Sequence, residues 1–302
     1  GTEMAKLMLD ENIPWDAIKG ISINQNEDFH LARMVQMELS ALLLNMSSLE
    51  NSGIFNTARG KEALALKMQE VKSGRALPID FAKPYIHCSS NPVKNTLIEA
   101  MGDTLEIPMP SLESKSIALT IDVSGSMNGE TLKTAGLLAI PFVKSKNLWF
   151  TTFDTFLYEE GSSYCPKISG LNRKTQIERL LSLRANGGTN ISLALNKAIQ
   201  DKKVFDLFIV VTDEQQNTGT PLMSAWRKYK AINPKAELWI VNATNYEWTA
   251  CDYNDPSVTV YHGLTPGIFK NLEFAGMDLV SAIDNYDLSS KRKKFIQNEL
   301  SK

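Results

Sequence analysis

Two hydrophobic patterns divide the chain. Up to about residue 108, apolar residues recur every three or four positions, which is the spacing of an amphipathic helix. The clearest case covers residues 31–46 and predicts one buried helix there. After residue 115, short apolar runs alternate with helical patterns, as in a sheet covered by helices. The chain therefore predicts an all-α helical-repeat region followed by an α/β domain.

Capping and breaking residues set the bounds of the remaining helices in the first region. Asn56 or Thr57 is the candidate N-cap of a second helix. Asn91-Pro92 opens a third helix, because proline is favoured at the first helical position. Pro84 lies between these two helices and predicts a bent or broken helix.

Two mostly apolar runs, at 116–121 and 205–211, predict buried parallel strands. Further strands are expected at 148–153, 155–158, 237–242 and 258–261, and helices at 129–143, 173–183, 191–199 and 221–232. The alternation predicts a doubly wound, mostly parallel sheet. Ligands of such sheets bind at the carboxyl ends of the strands.

A stretch rich in proline and serine between residues 107 and 116 is the best candidate linker. We therefore divide the chain into a helical region at 1–110, an α/β domain at 111–285 and a C-terminal helical tail at 286–302. A chain of 302 residues is long enough for two cores.

Composition excludes some classes of partner. The formal net charge is −2, so no overall field draws the protein to nucleic acid or to an anionic membrane. No apolar run approaches the roughly 18 residues that span a bilayer, and we expect no membrane partner. The 3 cysteines are widely separated, which favours a reducing, cytoplasmic location.

Hard oxygen donors stand where the two buried strands and one glycine turn end. Asp122, Ser124 and Ser126 form a D-x-S-x-S pattern after the first strand, Thr189 follows Gly-Gly, and Asp213 follows the second strand. These oxygen donors favour Mg²⁺, Mn²⁺ or Ca²⁺ over zinc. Two carboxylates suit Mg²⁺ best, because this ion keeps several waters.

Each donor group also has an ordinary structural interpretation. Asp122 or Ser124 could cap the following helix, Thr189 could be a loop N-cap, and Asp213 could be a turn residue. The three groups occur together, in this order and each at an element boundary. This combination favours a cation site.

The same pattern resembles the metal-ion-dependent adhesion site of the von Willebrand A family, and all five of its positions are filled here. The resemblance implies that an acidic side chain of a protein partner, or another anionic ligand, completes the coordination. Asp154 stands where some relatives carry a nearby acid. The simpler interpretation is that Asp154 is a turn residue between two strands.

The helical region is similar to the end of the TROVE module of the Ro autoantigen family. The similar stretches are 8–18, 38–46, 75–79 and 97–101, and 208–215 resembles the Ro version of the second strand and its loop. The order of the domains, helical repeats and then an A-type domain, is also that of Ro proteins. The chain has helix enough for only the last few repeats, which leaves a closed ring in doubt.

The Ro resemblance implies binding of small noncoding RNA. The candidate phosphate contacts form a local basic stretch: Arg59, Lys61, Lys67, Lys72 and Arg75. Residues 1–110 contain 10 Lys+Arg against 14 Asp+Glu, so the solvated face of a helix is the simpler interpretation of this stretch.

The sequence thus predicts a non-enzymatic binding protein. The leading hypothesis is a Ro-like ribonucleoprotein component that binds small or structured RNA and holds an anionic partner at the cation. The alternative is a scaffolding protein that uses the same architecture for protein contacts, in self-assembly or in a larger complex, without RNA. A metal-dependent hydrolase is disfavoured, because no residue is specified as its general base.

Overall fold

A six-stranded sheet forms the centre of the protein. The computed structural model describes residues 1–18, 25–73, 78–106, 110–244, 250–252 and 254–262. The strands are β1 (Ser116–Asp122), β2 (Asn147–Phe153), β3 (Leu157–Glu159), β4 (Leu207–Thr212), β5 (Glu237–Asn242) and β6 (Val258–His262). Their order is β3-β2-β1-β4-β5-β6, and β3 is antiparallel to β2 whereas the other pairs are parallel. The predicted doubly wound, mostly parallel sheet is confirmed.

Helices precede the sheet and cover it. Those before it are α1 (Thr2–Asp10), α2 (Glu27–Gln36), α3 (Leu39–Asn51), α4 (Ala58–Gln69), α5 (Ala82–His87), α6 (Asn91–Thr104) and α7 (Pro110–Glu113). Those between strands are α8 (Glu130–Ala139), α9 (Arg173–Leu181), α10 (Leu193–Gln200) and α11 (Leu222–Ile232). Short 3₁₀ helices lie at Ile54–Asn56, Glu70–Ser73, Pro78–Phe81, Gly125–Met127 and Ile140–Lys144.

The central strands β1 and β4 are buried almost throughout, as their apolar runs predict. Their register places Ile121 beside Val211, so both strands end at the same edge of the sheet. Residues that follow the two strands are therefore neighbours in space.

The helix predicted over residues 31–46 is in fact two helices. α2 ends at Gln36, Met37 is extended with φ −66° and ψ 133°, and α3 begins at Leu39. The apolar stripe continues across the break because both helices face the same core. The Lys67 ammonium donates to the Met37 carbonyl at 2.8 Å and satisfies an acceptor that the break leaves outside the helices.

The bent or broken helix expected around Pro84 takes the form of a 3₁₀ helix that passes directly into the short helix α5. Pro84 lies in the first turn of α5, directly after a 3₁₀ helix, where its missing N–H has no intrahelical partner to lose. The other capping expectations are confirmed. The Thr57 hydroxyl accepts from the Gly60 N–H at 3.0 Å, and Pro92 stands at the start of α6.

The helical region packs directly on the sheet domain. One apolar cluster contains Leu42 and Leu97 of the helices together with Leu119 of β1 and Leu138 of α8. The division at residue 110 remains a prediction, since α7 lies within the expected linker. The tail expected at 286–302 lies outside the described residues. None of the helices that the structure describes has the length and apolar character needed to cross a bilayer.

The contact between α8 and α9 leads to a stability prediction. A Cβ on Gly136 of α8 would overlap the carbonyl oxygen of Leu180. We expect Gly136→Ala to lower the free energy of unfolding by about 1–3 kcal/mol through overpacking, as measured by urea denaturation. Gly102→Ala on α6 is the matched control, because nothing lies within 4 Å of its Cβ. It should raise stability by about 0.5–1 kcal/mol, and equal effects of the two variants would contradict the packing.

Candidate metal site

Asp122 joins the ends of the two central strands. Its side chain is 0% exposed, and each carboxylate oxygen accepts one hydrogen bond. Oδ1 accepts from the Ser124 N–H at 2.8 Å, and Oδ2 accepts from the Thr212 hydroxyl at 2.6 Å. The first bond shapes the loop after β1, and the second fixes that loop to β4.

The two serines of the loop present their hydroxyls side by side. The Oγ atoms of Ser124 and Ser126 lie 3.2 Å apart, with Ser124 buried and Ser126 exposed. Two oxygens bound to one Mg²⁺ at octahedral positions, each about 2.1 Å from it, lie about 3 Å apart. The serine pair therefore has the spacing of two adjacent ligands.

The glycine turn lies against this loop. The Gly125 N–H donates to the Gly187 carbonyl at 3.0 Å, and the Asn186 N–H donates to the Val123 carbonyl at 2.6 Å. Thr189 is buried, and its N–H donates to Asn217 Oδ1 at 3.0 Å. The Thr189 turn thus adjoins the serine loop, and the loop after β4 fixes its backbone.

Asp213 contains a buried side-chain oxygen for which the described residues provide no hydrogen-bond partner. Its Oδ1 accepts from the Gln215 N–H at 3.1 Å. Its Oδ2 is buried and has no hydrogen-bond partner among the described residues. An unpaired buried carboxylate oxygen is costly, and a cation would compensate it.

Burial and nearby negative charge both disfavour ionisation at Asp122. Desolvation raises the pKa of this carboxyl to about 6, and the charge of Asp213 adds to the rise. The bonds from Thr212 and Ser124 oppose it. A bound dication would favour the ionised form of the Asp122 carboxyl.

The donor set fits a hard cation. In the described part of the chain, no cluster of three or more histidine, cysteine, aspartate or glutamate side chains could hold a metal. A cation here would depend on serine and threonine hydroxyls as well as the two carboxylates. Such a set suits Mg²⁺, Mn²⁺ or Ca²⁺ and not zinc.

Asp154 is the turn residue expected from the sequence, and it also supports the glycine turn. Its Oδ1 accepts from the Phe156 N–H at 2.7 Å. Its Oδ2 accepts from the Tyr158 hydroxyl and from Asn186 Nδ2, each at 3.0 Å. These bonds make Asp154 a support of the glycine turn.

Sequence reasoning missed residues that hold the five donors in place. They are Thr212, Glu214, Asn217 and Asn242, which bond to the donor residues or to one another. Thr212 carries the only available signal, a hydroxyl at the end of an apolar strand. Asn242 is the last residue of β5, beside Thr212, whereas Glu214 and Asn217 lie in the loop after β4, and no local spacing reveals their contacts.

The structure gives the basic stretch a different setting from the one expected. Arg59 pairs with Asp28 at 2.8 Å, and Lys67 with Glu70 at 2.8 Å. Lys61 is exposed. Arg75 and the side chain of Lys72 lie outside the described residues. Two of the five cations are thus engaged with carboxylates.

Strand order, flanking helices and the position of the donor residues define a von Willebrand A-type domain preceded by helices. The sequence matches the family described as "Ro60 vWA domain" over residues 116–272, just over half of the chain. The protein belongs to this family. No curated protein matches the sequence.

One solved structure extends the likeness in fold to the helical region. The RO (RSR) protein of Deinococcus radiodurans is similar with a TM-score of 0.69 and 16% identity, over 90% of this chain and 60% of that chain. This likeness shows a shared fold, and the present chain spans about 60% of that protein's length. The manganese-loaded TRAP protein of Plasmodium vivax matches with a TM-score of only 0.36 and 19% identity, over 50% of this chain and 69% of that chain.

The close approach of the glycine turn to Asp154 is testable. Gly187 has φ +66°, and a Cβ there would lie 2.7 Å from Asp154 Oδ2. Gly161→Ala is the matched control, because Gly161 has φ +89° but nothing lies within 4 Å of its Cβ. We expect Gly187→Ala to lower the free energy of unfolding by about 1–3 kcal/mol more than the control in urea titrations. Equal losses would mean that backbone strain alone acts at both positions.

Proposed function

We propose that this protein binds an anionic group through a divalent cation held by Asp122, Ser124, Ser126, Thr189 and Asp213. The observation that carries the proposal is the buried, unpaired Oδ2 of Asp213, at the sheet edge where the serine hydroxyls also lie. When bound, the cation would supply an electrophilic centre for a carboxylate of a partner protein.

Each donor has a distinct part in this proposal. The hydroxyls of Ser124, Ser126 and Thr189 would bind directly as neutral ligands. Asp122 and Asp213 would bind directly or orient bound waters, and they supply the negative charge. Two carboxylates balance one dication, so an anionic partner can join without first displacing a third acid. Mg²⁺ is the preferred ion, with Mn²⁺ and Ca²⁺ as alternatives.

RNA binding is a second candidate function. It is supported by the similarity to a Ro protein, which extends over 90% of this chain and so includes the helical region. Within the basic stretch, the exposed Lys61 is a candidate phosphate contact. The pairing of Arg59 and Lys67 with acids favours instead the scaffolding alternative, in which the cation site holds a protein partner or another copy of the chain. In both cases we propose a binding role and not an enzymatic one.

The cation proposal predicts opposite effects of Asp213→Asn on binding and on stability. The amide removes a charge that the cation would pair, and we expect Mg²⁺ affinity to fall at least about tenfold in isothermal titration calorimetry. The cation-free melting temperature should stay equal or rise, because an unpaired buried charge is gone.

Asp201→Asn is the charge-matched control for this variant, since Asp201 pairs with Lys197 at the end of α10. It should leave Mg²⁺ affinity unchanged. Unchanged Mg²⁺ binding by Asp213→Asn, or by Asp122→Ala with its fold retained, would show that the cation lies elsewhere.

The RNA candidate predicts a salt-sensitive interaction. We would titrate a structured RNA with the wild type and with the triple variant Arg59→Gln/Lys61→Gln/Lys67→Gln, following fluorescence anisotropy in increasing KCl. Each lost phosphate contact should reduce the slope of log affinity against log salt by about 1. A wild type that ignores RNA, yet captures a protein partner only until EDTA is added, would support the scaffolding alternative.

A further inference from the structure

Glu214 combines two unfavourable features at one position, directly after the cation donor Asp213. Its backbone has φ +62°, in the left-handed region that residues other than glycine rarely adopt. Its side chain is 0% exposed, and a carboxylate is costly to bury unless it is well hydrogen-bonded. Such strain persists only where the surrounding structure imposes it, and it is common at functional sites.

The surroundings that impose this conformation are the end of β5 and the segment after it. Glu214 Oε1 accepts from Asn242 Nδ2 at 3.0 Å, and Oε2 accepts from the Ala250 N–H at 2.8 Å. Both carboxylate oxygens are thus engaged within the protein. Through these bonds the Glu214 side chain links the turn after β4 to the end of β5 and to Ala250.

The backbone at Glu214 connects to both acids of the cation site. Its N–H donates to the Thr212 hydroxyl at 3.0 Å, and that hydroxyl donates to Asp122 Oδ2. The next N–H, from Gln215, donates to Asp213 Oδ1. The left-handed turn therefore fixes one oxygen of Asp213 and leaves the other, Oδ2, as the unpaired atom.

We propose that Glu214 is a positioning residue that sets the cation affinity of this site and couples it to the segment at Ala250. Its carboxylate holds the turn that orients Asp213, and cation binding in return stabilises the Glu214–Ala250 contact. This inference rests on the proposed cation-binding function.

The carboxylate of Glu214 and the amide of Asn242 can be exchanged between the two positions by substitution. In Glu214→Gln, either the Asn242 amide or the Ala250 N–H would meet an amide N–H instead of an oxygen, and that bond is lost. In the double variant Glu214→Gln/Asn242→Asp, the introduced amide can donate to the introduced carboxylate while the amide oxygen still accepts from the Ala250 N–H. Asn242 Oδ1 already accepts from the Thr244 N–H, and an aspartate at this position can continue to do so.

The test is Mn²⁺ affinity of the wild type, both single variants and the double variant, measured by electron paramagnetic resonance of free Mn²⁺ at a temperature where cation-free melts show every protein folded. We expect each single variant to bind about 10- to 100-fold more weakly and the double variant to recover most of this loss. A merely structural role would lower melting temperatures and leave the affinity of the folded protein unchanged.

A second measurement uses the wild type alone and does not depend on variants that fold. Saturating Mg²⁺ should slow hydrogen exchange at the Ala250 amide and leave the Ala236 amide, which bonds to the Asn233 carbonyl, unaffected. Unchanged exchange at Ala250, or wild-type Mn²⁺ affinity in Glu214→Gln, would overturn the positioning role alone. A wild type that binds neither ion would overturn the proposed function, and the positioning role with it.

Discussion

The hydrogen bond between Thr212 and Asp122 joins the two central strands at the edge where they end. It places two buried acids, Asp122 and Asp213, at the carboxyl ends of adjacent parallel strands. Buried carboxylates must be compensated, and the loops after β1 and β4 supply N–H donors to only part of their oxygens. The conformation of these loops therefore determines how far the negative charge at this edge of the sheet is compensated.

The two acids differ in how many of their oxygens are hydrogen-bonded, and this difference is what suits the site to a cation. Asp122 has both oxygens satisfied, whereas Asp213 has one satisfied oxygen and one unpaired oxygen. Backbone contacts between Gly125 and Gly187 bring the Thr189 turn to the serine loop. The same loops that satisfy the acids thus collect hydroxyls beside them, which is the arrangement that a hard cation requires.

The helical region packs against the sheet domain. Its apolar side chains share a core with β1 and α8, and the Lys67 ammonium closes the break between α2 and α3. Arg59 likewise pairs with Asp28 of α2. Arg59 and Lys67 of the basic stretch thus bond to groups of the protein itself. Local composition is therefore a poor guide to an RNA-binding surface here.

The sequence by itself determined the sheet, most helix positions and the five candidate donors, because alternation, apolar runs and end-of-strand oxygens are local signals. It did not separate α2 from α3, since the apolar stripe crosses Met37 without a change of phase. It did not indicate that Pro84 lies in the first turn of α5, because this position depends on the 3₁₀ helix directly before it. Only the tertiary structure showed the contacts of Thr212, Glu214, Asn217 and Asn242, which join residues up to 90 positions apart. Such hydrogen bonds depend on strand order and loop conformation, and neither leaves a pattern along the chain.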